Sequence, residues 1–504
     1  MTAEHPTALK AEDSAAMTVP ERPVSPEPPR VPAMLSAQEY GKRSAHAHQV
    51  EERLREKGVR VIQMEMPDIN GAVRGKIAGL KKGLGPTGTG VSTLAMSFRG
   101  GEEIALSPWS NFDNGFPKFC AVPDLDTAMQ LPWRPDTAAV LCDFVMNDGS
   151  ACVMDGREIL RRAVADLAAL GYTAKAALEW EFYIFESDDA LLRAGRYREL
   201  ESFGRNLHCY TLTNLPSFIP LATEFVTRME SVGIPVEAFH SEYGRGQYEF
   251  TCAATDPLRA ADWAVRAKTY LRELAAEHGL VTTWMPVLHT ESLDSKNGCH
   301  VNFSLERDGQ NAFWDGTRGR LSDVAGQAAA GILATMPDFH LFFRPWVNSF
   351  RRMDRLSWNP EDASWGTDNH ATAIRVVHGP DPAAYTRFEH RAPGPDISPH
   401  LVLAAIICGA ARGIRSGWQP PPQAVGDPIE AGGYRPLPRT LEDSVAAMRS
   451  SPVAKDLLSP AFIEHFTAMK LDEAQAYQDW LDPHPDTSPD RVTDWEFSHY
   501  FEWV

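Results

Sequence analysis

The sequence offers no cysteine framework. Its seven cysteines, at positions 120, 142, 152, 209, 252, 299 and 408, contain no CxxC pair and no repeating spacing. Free thiols in a reducing cytoplasm are the expectation, and a disulfide-built scaffold is excluded. Positive charge is also scarce, with 49 Lys and Arg against 67 Asp and Glu and a net charge of −18. This argues against nucleic acid or an anionic membrane surface as a partner. Long hydrophobic runs are missing. The longest, Leu401 to Ala411, falls well short of the roughly 20 residues of a membrane span. A phosphate loop is missing too: KKGLGPTGTG at 81–90 is Gly-rich but lacks the Gly-Lys-Ser/Thr ending, and reads as a flexible loop.

What is present is the balance of a soluble globular enzyme, 43% hydrophobic and 23% charged. A chain of 504 residues is too long for one ordinary core. Residues 1–35 carry seven prolines and no apolar stretch of the signal-peptide kind, and read as a disordered leader on which function should not depend. Residues 36–150 read as a small β-rich domain. It opens with a helix from Ser36 to Gly58 and continues with a strand at Arg60–Met66, the turn PDINGAVRGK at 67–76 and a strand at Ala138–Phe144. Residues 151–504 form the larger domain. There Ile159, Leu160, Ala163, Val164, Leu167 and Leu170 mark one helical face, stopped at Gly171. A polar loop is expected at 187–206 and a helix over Leu221–Val232. Asp256 as N-cap and Pro257 at the first helical position open a long helix ending at His278.

The chain is organised around KAALEWEFYIFE at 175–186, where Glu179 and Glu181 alternate with Leu178, Trp180 and Phe182. Period two puts both carboxylates on one face of a strand. Like charges side by side need a cation, and a divalent metal is the economical one. The pattern recurs. HSEYGRGQYEF at 240–250 brackets a Gly-Arg-Gly turn with Glu242 and Glu249, and NGCHVNFSL at 297–305 puts His300, Asn302 and Ser304 on one face. AIRVV carries Arg375, and RFEHR aligns Arg387, Glu389 and Arg391. Carboxylates with one histidine and no thiolate suit Mg²⁺ or Mn²⁺. Arginine forks suit phosphate or carboxylate, so the inventory points to phosphoryl transfer.

Taken in order, EWEF at 179–182, ExxxGQxE at 242–249, GxHxNxS at 298–304, NSFRR at 348–352, WGxxN at 365–369 and RFEHR at 387–391 resemble the motif set of the glutamine synthetase family. PDINGAVRGK, VPDLDTAMQLPW at 122–133 and VTDWEFSHYFE at 492–502 extend the resemblance toward both ends. It implies an α+β fold: a small N-terminal β-grasp domain and a larger catalytic domain on a curved antiparallel sheet, assembled as a homo-oligomer of stacked rings. It also implies that Glu181, Glu242 and Glu249 hold one Mg²⁺ or Mn²⁺ and that Glu179, His300 and Glu389 hold another nearer the phosphates of ATP. Ser304, Arg387 and Asn302 fall on the nucleotide side, Arg352 and Arg391 at positions holding glutamate or its phosphorylated form, and Arg375 against phosphate. The implied reaction phosphorylates the side-chain carboxylate of glutamate, after which an amine displaces phosphate.

The sequence departs from ammonia-using members at named positions. Asn302 and His370 stand where those members have a histidine and an arginine, and Ser295-Lys296 interrupts the usual Asn-Gly before the metal histidine. Six residues after Arg352, where those members carry the glutamate that receives ammonium, stands Trp358, and Val91 to Leu94 offers no N-terminal aspartate. Glu361 is three residues late. A tryptophan face suits an apolar alkylamine or arylamine. A γ-glutamylpolyamine synthetase, an ammonia-using glutamine synthetase and a non-catalytic scaffold of the same fold are the alternatives.

Overall fold

The computed structural model describes residues 37–92, 111–146, 149–204, 209–212, 215–289, 296–317, 320–353, 358–488 and 491–504. The leader at 1–35, Thr93-Leu94 and Ser295 lie outside them.

The first helix, Ala37–Glu56, leads into β1 (Val61–Pro67) and β2 (Val73–Gly79), an antiparallel pair. Their turn is built by Asp68, whose Oδ1 accepts from the Asn70 and Ala72 amides at 2.9 and 3.0 Å. Gly71 in this turn has φ 87°, and a Cβ there would stand 2.1 Å from the Ile397 carbonyl oxygen. Only glycine lets the turn dock on that later segment. With β3 (Thr89–Ser92), β4 (Lys118–Pro123), β5 (Met129–Leu131) and β6 (Arg134–Met146), these strands make a six-stranded sheet in the order β2-β1-β6-β4-β3, with β5 on β6. The loop expected at 81–90 is shorter than that: Leu80–Gly83 is a helical turn and Thr89 already pairs with Ala121. Burial of Leu84 ties the intervening segment down.

The second sheet has nine strands. β7 (Thr173–Glu186) is central, with β8 (Val236–Ser241), β9 (Gln247–Cys252), β10 (Leu280–Thr283), β11 (Cys299–Arg307), β12 (Gln310–Asn311), β13 (Trp365–Thr367), β14 (Ile374–Val377) and β15 (Arg387–His390). The order is β13-β14-β15-β11-β7-β9-β8, with β10 on β7 and β12 on β11. Its pairs are antiparallel except β13 with β14. The alternation read from the sequence separates two faces. Trp180, Phe182 and Phe250 bury behind β7 and β9 with Trp284, whose ring stacks on Phe182 at 4.5 Å. The charged residues are left on the front.

The long helix is Pro257–Glu277, with Asp256 accepting from the Arg259 amide and Pro257 at its start. The helix after Asp155 spans Gly156–Ala168. The helix expected over 221–232 begins earlier, as Leu215–Ser231 with Pro220 inside it. The polar segment 187–206 is not all loop: Asp188 caps a short helix, Asp189–Arg193, and a 3₁₀ turn follows at Tyr197–Glu199. Burial of Leu200 with Phe185 and Phe501 holds this region against the C-terminal helix Asp494–Tyr500.

Candidate active site

Strand register assembles the site. Residues opposite one another in an antiparallel pair share a face. Glu181 lies opposite Glu249 and Glu179 opposite His300, while Asn302 and Arg375 both lie opposite Glu389. On the outer side of β9, His240 lies opposite Glu249. These pairings lay one row of acids, histidines and arginines across six strands. The row floors a cavity of about 600 Å³ that also receives Arg352, Arg391, His370 and Trp358.

Two compact donor groups stand in this cavity. In one, ligand atoms of Glu179, His300 and Glu389 lie within 4.8 Å of one another, and in the other those of His240, Glu242 and Glu249 do. His300 Nδ1 is 3.4 Å from Glu389 Oε1 and 3.6 Å from Glu179 Oε2. Glu181 stands between the groups, its Oε1 4.0 Å from the same nitrogen. Its Oε2 is held by the Gly298 amide at 2.8 Å and by Gln247 Nε2 at 3.3 Å. A Cβ at Gly298 would come within 2.8 Å of His300 Nε2 and 3.1 Å of Arg352 Nη2, so a larger residue would displace the imidazole and the guanidinium.

The electrostatics of the two groups differ. Burial raises the Glu389 carboxyl, but Arg391, His300 and Arg375 outweigh it and bring the value down to about 2. Glu242 has no such arginine, and burial followed by the Glu181 and Glu249 carboxylates pushes it up to about 7. Burial lowers His240, but Glu249 and Glu242 reverse the direction and raise it. The second group is a crowd of acids that added positive charge would relieve. Oxygen and imidazole donors at this spacing fit a divalent cation of the Mg²⁺ or Mn²⁺ kind.

The arginines are braced from behind. Arg352 is buried at 1% exposure and donates Nη1 to the Ala392 carbonyl at 3.0 Å, and burial lowers it to about 10. Arg391 and Arg375 reach Glu389 at 2.5 and 2.9 Å. The nucleotide-side residues form a chain beside the cavity: Arg387 Nε donates to Asn302 Oδ1 at 2.6 Å, and Asn302 Nδ2 donates to Glu179 Oε1 at 2.7 Å. Ser304 lies opposite Lys175, one pair further along β11. Asn302, Ser304 and Arg387 do not line the cavity itself.

Trp358 is half exposed with φ 53°, and its ring centroid lies 5.7 Å from that of Tyr243. Glu361 does not line this cavity; its carboxylate is taken by Arg439. Four lining residues escaped the reading of the sequence, Cys209, Tyr210, Tyr243 and Asn359, and so did His240, which joins Glu242 and Glu249 in the second donor group. His240 carried a usable signal, since it stands two residues before Glu242. Cys209 and Tyr210 carried none. Tyr210, at φ 56°, is set edge-on to His240 at 4.7 Å by a return of the chain that no local pattern marks.

A sheet face that gathers acids, imidazoles and buried arginines into one cavity defines an enzyme that handles cations and anionic groups together. The family model for the glutamine synthetase catalytic domain matches residues 153–500. The chain is 30% identical to the glutamate–isopropylamine ligase of Pseudomonas sp over 455 residues, covering 88% of this chain and 95% of that one. It is 31% identical to the γ-glutamylethanolamide synthetase GlnA4 of Streptomyces coelicolor, covering 79% and 81%. In fold it matches a solved GmaS–ADP complex at TM-score 0.74 and 23% identity, over 89% of this chain and 98% of that one. The chain belongs to the glutamine synthetase family and has its α+β fold, with the curved sheet carrying the face of acids, imidazoles and arginines.

Proposed function

We propose that this protein ligates glutamate to an apolar alkylamine or arylamine at the expense of ATP, through a γ-glutamyl phosphate. The chain is a ligase of the glutamine synthetase family, and similarity to isopropylamine, ethanolamide and polyamine enzymes favours an amine larger than ammonia. The observation that carries the choice is Trp358 on the wall of the main cavity, with Glu361 behind it in the adjoining space and paired with Arg439. Ammonium needs a carboxylate to attract it and to take its proton, whereas an aromatic wall receives an apolar substituent.

In the reaction, the γ-carboxylate oxygen of glutamate bonds to the terminal phosphorus of ATP and ADP departs. The amine nitrogen then bonds to the acyl carbon, phosphate leaves with the C–O pair, and the nitrogen gives up its proton. Arg352 and Arg391 hold the glutamate carboxylate and its phosphorylated form, and Arg375 offsets charge on the transferred group. Glu179, His300 and Glu389 form one cation site. Glu181, Glu242 and Glu249, with His240 beside them, form the other. Mg²⁺ or Mn²⁺ bound there supplies charge neutralisation at the phosphoryl oxygens.

A homo-oligomer of stacked rings is part of the proposal, and the exposed Ile77 and Phe112 on the N-terminal sheet side suit burial against another copy. Among the described residues no helix is long and apolar enough to cross a membrane. With free cysteines and a net charge of −18, a cytoplasmic location is proposed. The test is phosphate release from ATP and glutamate with individual amines. Release that depends on an apolar amine supports the reading, and release only with ammonium refutes it.

A further inference from the structure

Behind Trp358 lies a second cavity of about 350 Å³. Trp358 and Asn359 line both it and the main cavity, so these two residues are the partition. Its far side is made by Ala371, Gly426, Pro428 and Ile429. Ala371 comes from the loop before β14, Gly426 from the loop before the helical turn Pro428–Ala431, and Pro428 and Ile429 from that turn, two regions far apart in sequence.

The polar groups around this annex are already engaged. Asn369 Nδ2 donates to the Gly426 carbonyl at 2.7 Å, and its Oδ1 accepts from the Ala371 amide at 3.0 Å. Asp427 Oδ1 caps the helical turn by accepting from the Ile429 amide at 2.9 Å, and Glu361 is paired with Arg439. Beside these engaged polar groups and Asn359, the space is faced by the indole, a methyl group, a proline ring and a branched alkyl chain. Trp358 keeps a left-handed backbone, which disfavours a bulky residue. That cost is kept at one of the two positions where the chain divides the two cavities.

We infer that the annex receives the apolar substituent of the amine, while its nitrogen stays in the main cavity beside Arg352 and Arg391. This deepens the proposed ligase reading and rests on it. Trp358, Ala371 and Ile429 then set which amine is used. A volume of about 350 Å³ accommodates a branched alkyl or phenyl group, within the range of small-ligand pockets.

The test fills the annex from two sides. Ala371→Phe and Ile429→Trp are compared with the unaltered full chain by phosphate release with ATP, glutamate and either methylamine, isopropylamine or aniline, with the melting temperature recorded for each. In both variants the ratio of kcat/KM for isopropylamine or aniline to that for methylamine should fall about tenfold or more, with little change in the KM for glutamate. Ile429→Ala, which enlarges the space, should shift the ratio toward the larger amines. Unchanged ratios in folded variants would overturn the assignment of the annex alone, and putrescine as the best amine of the unaltered protein would overturn the annex together with the choice of an apolar amine, leaving the ligase reading in place. Absence of amine-dependent phosphate release from the unaltered protein would overturn the ligase reading and the annex with it.

Discussion

Glu249 meets three neighbours at once: Glu181 across β7, His240 across β8, and Glu242 at the far side of the Gly-Arg-Gly turn. Removing it leaves too few oxygen donors for a hard cation. Glu249→Ala is expected to abolish ligase turnover at low metal while the protein still folds. Mn²⁺ titration of activity, with circular dichroism as the folding control, is the measurement, and near-normal turnover at low Mn²⁺ would refute the role. Trp358→Glu tests the opposite wall of the cavity. It restores a carboxylate six residues after Arg352, so kcat/KM for ammonium relative to isopropylamine should rise at least tenfold, on the order of the 10²–10⁴-fold range of general acid–base effects.

Among the elements, the C-terminal helix Asp494–Tyr500 acts on the site from a distance. Glu496 is fully buried, takes Arg351 at 2.6 and 2.9 Å and takes Asn348 Nδ2 at 2.9 Å. Asn348 in turn clamps Val287 by its amide and its carbonyl, both at 3.0 Å. Arg351 precedes Arg352, so this helix fixes the backbone from which the buried arginine projects. Glu496→Ala removes the carboxylate from Arg351 and leaves it the neutral Tyr477 hydroxyl at 2.7 Å in a largely buried setting, and breaking a buried ion pair costs about 3–5 kcal/mol. A raised KM for glutamate and a lower unfolding midpoint are expected, and an unaltered KM in a folded variant would contradict the link.

The same elements show what could be read in advance. β7 and β11 were legible because period-two alternation is a local pattern, and Pro257–Glu277 because its cap and first proline are adjacent in sequence. The early start of Leu215–Ser231 was hidden by Pro220, a residue that ordinarily marks a boundary. The facing of His240 onto Glu249 and the closing of the annex by residues 426–429 depend on strand pairing and loop return. Neither leaves a periodic trace.

Across the whole molecule, a buried polar network ties the six-stranded sheet to the helices Gly156–Ala168, Pro257–Glu277 and Pro399–Ser416. Arg157 on the helix Gly156–Ala168 donates to both oxygens of Asp262 at 3.0 and 2.9 Å, to Asp124 at 2.8 Å and to Asp143. His400 completes the shell of Asp262 at 2.9 Å. Burial raises the Asp262 carboxyl, but Arg157 and His400 outweigh it and hold it well below its ordinary value near 3.8. A carboxyl depressed in the folded state stabilises above its unfolded value, and that contribution is lost as pH falls below it. Stability should therefore decline steeply below about pH 4. Asp262→Asn should lower the midpoint at neutral pH and flatten this acid limb. Urea unfolding from pH 7 to 3 measures both, and an unchanged acid limb would contradict the role of this group.

The central claim is that the cavity bounded by Trp358 serves an apolar amine, and one series of rates tests it. Phosphate release is followed with ATP, glutamate and Mn²⁺ or Mg²⁺ while ammonium, methylamine, isopropylamine, ethanolamine, aniline and putrescine are each varied. The account predicts that kcat/KM is highest for isopropylamine or aniline and that ammonium falls well below them. If ammonium gives the highest value, Trp358 is only a packed loop residue and this protein is an ordinary glutamine synthetase.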